Sequence, residues 1–165
     1  MNWAVATDAV PTGASVADVG SGAGLPGLVW AVRRDDLQVT LIEPLLRRAD
    51  FLSETVAILG LEGRVRVVRS RAEDAATAGG YDVVTSRAVA PLKRLVPWCA
   101  VLCRPGGSIV AMKGRSAPEE VASSRRAIAR VSTMEATVAT YGGALVDEPT
   151  TVVEIRVDRT VSPTR

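Results

Sequence analysis

The stretch Asp18-Val-Gly-Ser-Gly-Ala-Gly-Leu-Pro-Gly27 constrains this chain more than any other. It follows a short apolar run, Ser15-Val16-Ala17, that reads as a buried strand. It leads into Leu28-Val29-Trp30-Ala31-Val32, which reads as a helix. Without Cβ atoms the backbone turns tightly and comes close to a ligand, and the first N–H groups of the helix face that ligand. Pro26 suits the first helical turn, where its missing N–H is of no consequence. Gly22-Ala-Gly24-Leu-Pro-Gly27 satisfies G-x-G-x-x-G, a nucleotide fingerprint when strand and helix flank it and otherwise only a packing turn. Asp18 sharpens the expectation. A carboxylate at the strand end repels a pyrophosphate and suits a ligand with a cationic amino-acid tail, such as S-adenosylmethionine.

The bulk properties limit what surrounds this turn. With 165 residues the chain can build one domain with a real core but not two of ordinary size. A hydrophobic content of 47% beside 23% charged residues describes a folded globular protein. The net charge of +2 permits an RNA partner without demanding one. At 4% aromatic residues, a surface that stacks single-stranded bases on rings is disfavoured. There is no histidine, which excludes Ser-His-Asp, Cys-His and histidine-metal chemistry together. Cys99 and Cys103 fall four apart in a segment that reads as helical. They are expected to be reduced thiols, because a zinc site needs more ligands, and no metal is expected. The start of the chain lacks a basic n-region with a long apolar stretch, and no segment approaches the ~20 apolar residues of a membrane span. A cytoplasmic protein with no membrane partner is expected.

Taken in order, residues 1–14 form a lead-in, 15–158 the domain, and 159–165 a tail. Strand one covers about 15–20 and the first helix runs to about Arg34. Gln38–Glu43 is β-branched and ends in an acid. Glu43 lies roughly twenty residues beyond the turn, where doubly wound folds carry the carboxylate for ribose hydroxyls; alternatively it is a surface acid opening the next helix. Leu45–Leu59 carries apolar residues on one face, among them Leu45, Leu46, Ala49, Leu52, Val56 and Leu59, and Gly60 ends it. Arg64–Arg69 is a third strand whose alternating arginines are either a basic stripe or a solvated face. Ser70-Arg-Ala72-Glu73-Asp74 follows at the carboxyl edge, where ligands sit, and can bind an adenine, unless Asp74 caps a short helix.

Tyr81–Ser86 is a fourth strand with Arg87 hanging from its end, facing either the cleft or a surface salt bridge. A helix from Pro91 through Leu102 follows, with Trp98 directed to the core. Arg104–Gly107 reads as a turn and Ser108–Met112 as a fifth strand ending at Lys113-Gly-Arg115, a second basic site. Residues 117–130 form an amphipathic helix. Met134–Tyr141 and Thr151–Val157 suggest a hairpin at one sheet edge, and the tail after Asp158 is expected to fray. These units predict an α/β fold with a doubly wound, mostly parallel sheet of about seven strands, the Rossmann-like class I methyltransferase architecture.

Residues 18–27 with Glu43-Pro-Leu-Leu-Arg-Arg-Ala-Asp-Phe-Leu52, Ser70-Arg-Ala-Glu73, Ser86-Arg-Ala88 and Met112-Lys-Gly114 together resemble the RsmG (GidB) family. Those enzymes methylate N7 of a guanine in the 530 loop of 16S ribosomal RNA. The resemblance covers residues 15 to about 116. It implies that Gly20 and Leu25 contact S-adenosylmethionine, that Ala72 and Glu73 hold the adenine, and that Arg87 closes the site near the methyl group. Asp18, Gly22, Gly24 and Glu43 complete the expected cofactor set, Glu43 by the superfamily pattern. Arg87 and Lys113 are the expected catalytic pair. Those two, joined by Arg115, are placed near RNA by position. The implied partner is 16S ribosomal RNA or the small ribosomal subunit, acted on by a monomer. Family members usually carry a helical segment before the first strand, so the chain reads either as a form shortened at its N-terminus or as one whose start is misassigned.

Three alternatives stay open on the residues alone. A methyltransferase with another acceptor would use the same cofactor residues. A nicotinamide-dependent oxidoreductase would use Gly22, Gly24, Gly27 and Glu43, although Asp18 is poorly placed for a pyrophosphate. An inactive remnant would bind RNA without binding the cofactor.

Overall fold

The computed structural model describes residues 3–75, 80–143 and 147–159. Seven strands form one sheet in the order β3-β2-β1-β4-β5-β7-β6. They are β1 (Ser15–Val19), β2 (Gln38–Ile42), β3 (Val65–Val68), β4 (Tyr81–Arg87), β5 (Cys103–Lys113), β6 (Thr137–Tyr141) and β7 (Thr150–Val157). The first five run parallel; β7 is antiparallel to β5, and β6 pairs antiparallel to β7 at the edge. The α-helices of the described residues are α1 (Gly27–Arg33), α2 (Leu46–Ile58), α3 (Leu92–Ala100) and α4 (Ala117–Val131). This is the doubly wound sheet expected of the sequence.

The parallel strands are apolar on both faces because helices cover both. Successive β1 residues serve opposite layers. Val16 joins Trp30, Leu41 and Leu52 beneath α1 and α2, whereas Ala17 joins Leu95, Ile109 and Ile128 beneath α3 and α4. Registers Val19↔Ile42, Val19↔Ser86 and Arg87↔Met112 bring the carboxyl ends of the strands to one edge. The strand order reverses between β1 and β4, and that switch point is where open α/β sheets form a ligand crevice.

Several local expectations are corrected. The lead-in packs on the sheet layers more closely than its sequence announces: Ala6, Val10 and Ala14 are buried, and the Arg34 guanidinium donates to the carbonyls of Thr7 and Val10 at 3.1 and 2.6 Å. Cys103 is in a strand, not a helix. Residues 104–107 continue β5, since Cys103 already pairs with Tyr81 and the Tyr81 N–H reaches back to the Leu102 carbonyl at 2.8 Å. Burial pushes the Cys103 thiol up to about 12 and the Cys99 thiol well above its ordinary value, so neither is a ready nucleophile. Helix α2 buries only Ala49, Leu52 and Val56, a narrower stripe than the sequence suggests, and leaves Leu45, Leu46 and Leu59 about half exposed. The edge hairpin forms, while residues 144–146 and 160–165 of the connection and tail lie outside the described residues. Among the described residues, no helix is long and apolar enough to cross a membrane.

Candidate functional site

The glycine turn is held from below by two buried carboxylates. Gly20, Gly22 and Gly24 all take positive φ, at 67°, 58° and 87°, which side chains rarely tolerate. The N–H groups of Gly20 and Ser21 donate to the Ile42 carbonyl at 2.8 and 3.2 Å, tying the turn to β2. Glu43 accepts from the Gly22 N–H through Oε2 and from the Leu45 N–H through Oε1, both at 3.0 Å. It is buried, which removes the surface-acid alternative, and it couples the turn to the start of α2.

Asp18 requires a correction. Its carboxylate is fully buried under the turn, where Oδ2 accepts from the Gly27 N–H at 3.0 Å and Oδ1 has no hydrogen-bond partner among the described residues. With no exposed surface and its bond to the Gly27 N–H, its place is beneath the turn and the start of α1 rather than at the cleft surface expected for meeting a cationic tail. Burial pushes its pKa up to about 7, against the Gly27 N–H, Ser21 and the Arg87 charge, with Glu43 adding to the rise. The folded chain thus holds this proton more tightly than the unfolded chain. The resulting stabilisation is complete in acid and is lost as pH rises through about 7. Unfolding by urea is expected to be easier at pH 8 than at pH 5.5 by on the order of 2 kcal/mol, and Asp18→Asn is expected to flatten that difference. Equal pH slopes for the two proteins would remove Asp18 as the cause.

Two clefts open along the carboxyl edge. The smaller encloses about 550 Å³, within the range of small-molecule sites, and Gly20, Glu43, Ala72 and Glu73 line it opposite Ala88 and Val89. A Cβ on Gly20 would stand 2.5 Å from Val89 Cγ2, so only glycine leaves this contact open. Gly22, Gly24 and Leu25 are not among the residues that line this cleft. The larger cleft encloses about 1190 Å³ and is lined by Arg87, Lys113, Gly114 and Arg115 beside Glu120 and Thr151. Arg87 lies here and not in the smaller cleft. Ala88 lines both.

Lys113 also departs from expectation. Its side chain is only 8% exposed, and its ammonium donates to Glu120 Oε2 and to the Ala90 carbonyl, each at 2.9 Å. An ammonium held inside this way is not presented to a phosphate, which leaves Arg115 as the exposed cation of the pair.

Arg48, Arg94 and Trp98 also line the smaller cleft, where they were not expected. Trp98 is half-buried, and the Arg94 guanidinium lies 5.4 Å from its ring centroid. The available signal was the i, i+4 spacing of Arg94 and Trp98 on a helix that starts beside the crevice.

The residues fit an adenosine-bearing cofactor: a glycine that brings backbone to the cleft, a buried carboxylate between two loops, and small side chains where a flat base can lie.

Comparisons with known proteins agree. The family model GidB, described as rRNA small subunit methyltransferase G, matches residues 1–146. A Salinispora tropica protein described as ribosomal RNA small subunit methyltransferase G is 52% identical over 171 residues, spanning the whole chain and 71% of that protein. One of the same description from Corynebacterium efficiens is 49% identical over 96% of this chain and 69% of its own length. Among solved structures, Atu636 of Agrobacterium tumefaciens, titled a predicted O-methyltransferase, superposes with a TM-score of 0.75 at 16% identity, over 96% of this chain and 82% of that one. PigF with SAH gives 0.66 at 19% identity, over 86% of this chain and 50% of PigF. At such identities the two structures speak for the fold alone.

Proposed function

The chain belongs to the GidB family, rRNA small subunit methyltransferase G, and from that premise we propose that it moves a methyl group from S-adenosylmethionine to N7 of a guanine in the 530 loop of 16S ribosomal RNA. The observation that supports this most is the wall at Ala88, which separates an adenosine-sized cleft from a larger, arginine-bearing one. S-adenosylmethionine supplies an electrophilic methyl on a sulfonium. Glu43 accepts the ribose hydroxyls with the lone pairs its two backbone partners leave. Ala72 and Glu73 hold the adenine, and Gly20 brings backbone to the amino-acid end. Leu25, Gly22 and Gly24 shape the turn behind it.

Arg87 and Arg115 hold a phosphate or the guanine O6 edge and so orient the acceptor. Contact with N7 itself would block the reaction. No general base is needed, because guanine N7 bears a lone pair and no proton, and the chain has no histidine to offer. Positioning and electrostatics are then the main contributions of the protein. We assign this activity to residues 15–158, acting as a monomer in the cytoplasm on the 16S RNA or the assembled small subunit.

Incubation with methyl-labelled S-adenosylmethionine and small subunits that lack the modification is expected to label the 530 loop. Calorimetric titration is expected to show binding of S-adenosylhomocysteine and none of NADH. Cofactor binding with unlabelled subunits would shift the acceptor elsewhere; binding of NADH alone would remove the methyltransferase reading.

A further inference from the structure

Lys113 is the basic residue that the proposed reaction leaves without a task, and its contacts converge on one short piece of backbone. From the end of β5 its ammonium reaches the Ala90 carbonyl and Glu120 Oε2 in the first turns of α4, both at 2.9 Å. The same Glu120 oxygen accepts the N–H of Leu92, the first residue of α3, at 2.9 Å. Two side chains from two elements thus grip the connection between β4 and α3 on both sides of Pro91. That connection is the wall between the clefts. Ala88 lines both, and its φ of 54° is one that a residue with a Cβ adopts only when its surroundings impose it. Val89 rests on Gly20 from the other side.

We propose that Lys113 and Glu120 are positioning residues, a clamp that fixes the loop 87–91 and thereby aligns the acceptor cleft with the methyl-donor cleft. The inference deepens the methyltransferase reading and rests on it. Fold stability gives a poor account of the pair. An ion pair with one member almost buried returns little net stability, because desolvation offsets the attraction. A fixed loop geometry is what its three hydrogen bonds do supply. RNA contact explains the pair no better, since a cation held by a carboxylate and a carbonyl has little left for a phosphate.

The test uses Lys113→Met, Glu120→Ala and their combination, with labelled transfer to small subunits. The clamp predicts that either single change lowers kcat about tenfold or more. It also predicts that KM for the subunit stays within about twofold, that the salt dependence of binding is unchanged, and that the double variant is no worse than either single one. If Lys113→Met instead raises KM and flattens the salt dependence while Glu120→Ala remains like the wild type, Lys113 is an RNA contact and the clamp is overturned. Normal kinetics in all three variants overturn it as well.

Glu120→Gln, whose amide oxygen still accepts from Leu92, guards against a variant that fails to fold. Hydrogen exchange of this variant without substrate is expected to speed up at residues 88–90 and nowhere else. Unaltered exchange there sinks the clamp, whereas a wild-type enzyme that labels no subunit sinks only the functional reading.

Discussion

Arg87→Ala is expected to lower methyl transfer by on the order of a hundredfold, equivalent to about 2.7 kcal/mol of transition-state stabilisation. The side chain lies at the end of β4, half-buried on the larger cleft, and the next residue is the wall at Ala88. On the proposed function, an acceptor held by that guanidinium is directed across the wall toward the donor. The methyl transfer is an in-line displacement, so a tilt of the acceptor by a fraction of an ångström costs rate more than affinity. S-adenosylhomocysteine is therefore expected to bind within a few-fold of the wild type, because the smaller cleft does not include Arg87. Unchanged turnover of a well-folded Arg87→Ala protein would remove the residue from the mechanism. A large loss of cofactor affinity would move it into the donor site.

Gly27→Ala is expected to produce a large loss of stability. A Cβ there would lie 2.6 Å from Leu41 Cδ2, 2.8 Å from Asp18 Oδ2 and 2.9 Å from Asp18 Cβ. Leu41 and Asp18 are themselves fully buried, so neither can swing aside, and α1 must lift from the sheet. The expected penalty is about 3 kcal/mol, or a Tm lower by roughly 6–12 °C in a domain of this size. Cofactor affinity falls with it, since the Gly27 N–H to Asp18 bond holds the turn down. Gly22→Ala is the control: its Cβ would meet nothing closer than a carbonyl at 3.8 Å, leaving only the left-handed backbone to resist, at about 1 kcal/mol. Equal melting of the two variants would show that close helix approach is not the role of Gly27.

What the sequence disclosed was local. The strand–turn–helix at 15–33 and the acid at Glu43 were legible because a positive φ needs glycine and because chain spacing alone puts Glu43 at the neighbouring strand end. The stretch 70–74 followed from the rule that ligands meet the carboxyl edge, and the choice of Ala72 and Glu73 within it came from the family resemblance. Partners brought from far along the chain were not legible. Lys113 looked like a free cation because Glu120, Ala90 and Leu92 meet it only after β5 and α4 are folded. Asp18 looked like a ligand contact because nothing local says that α1 will close over it. Cys103 looked helical because an apolar segment does not reveal that Tyr81 will claim it as a strand partner. Trp98 does pack against the core, and its part in the cleft was hidden because a ring that does both has the same spacing as one that only fills an interior.

The wall at Ala88 also divides the gene. Every described residue lining the larger cleft falls at or after Arg87, whereas Gly20, Glu43, Ala72 and Glu73 precede it. The smaller cleft, by contrast, draws on both halves, because Val89, Arg94 and Trp98 close it from downstream; a chimaera joined within β4 would therefore take its larger cleft whole from one parent and assemble the smaller one from both.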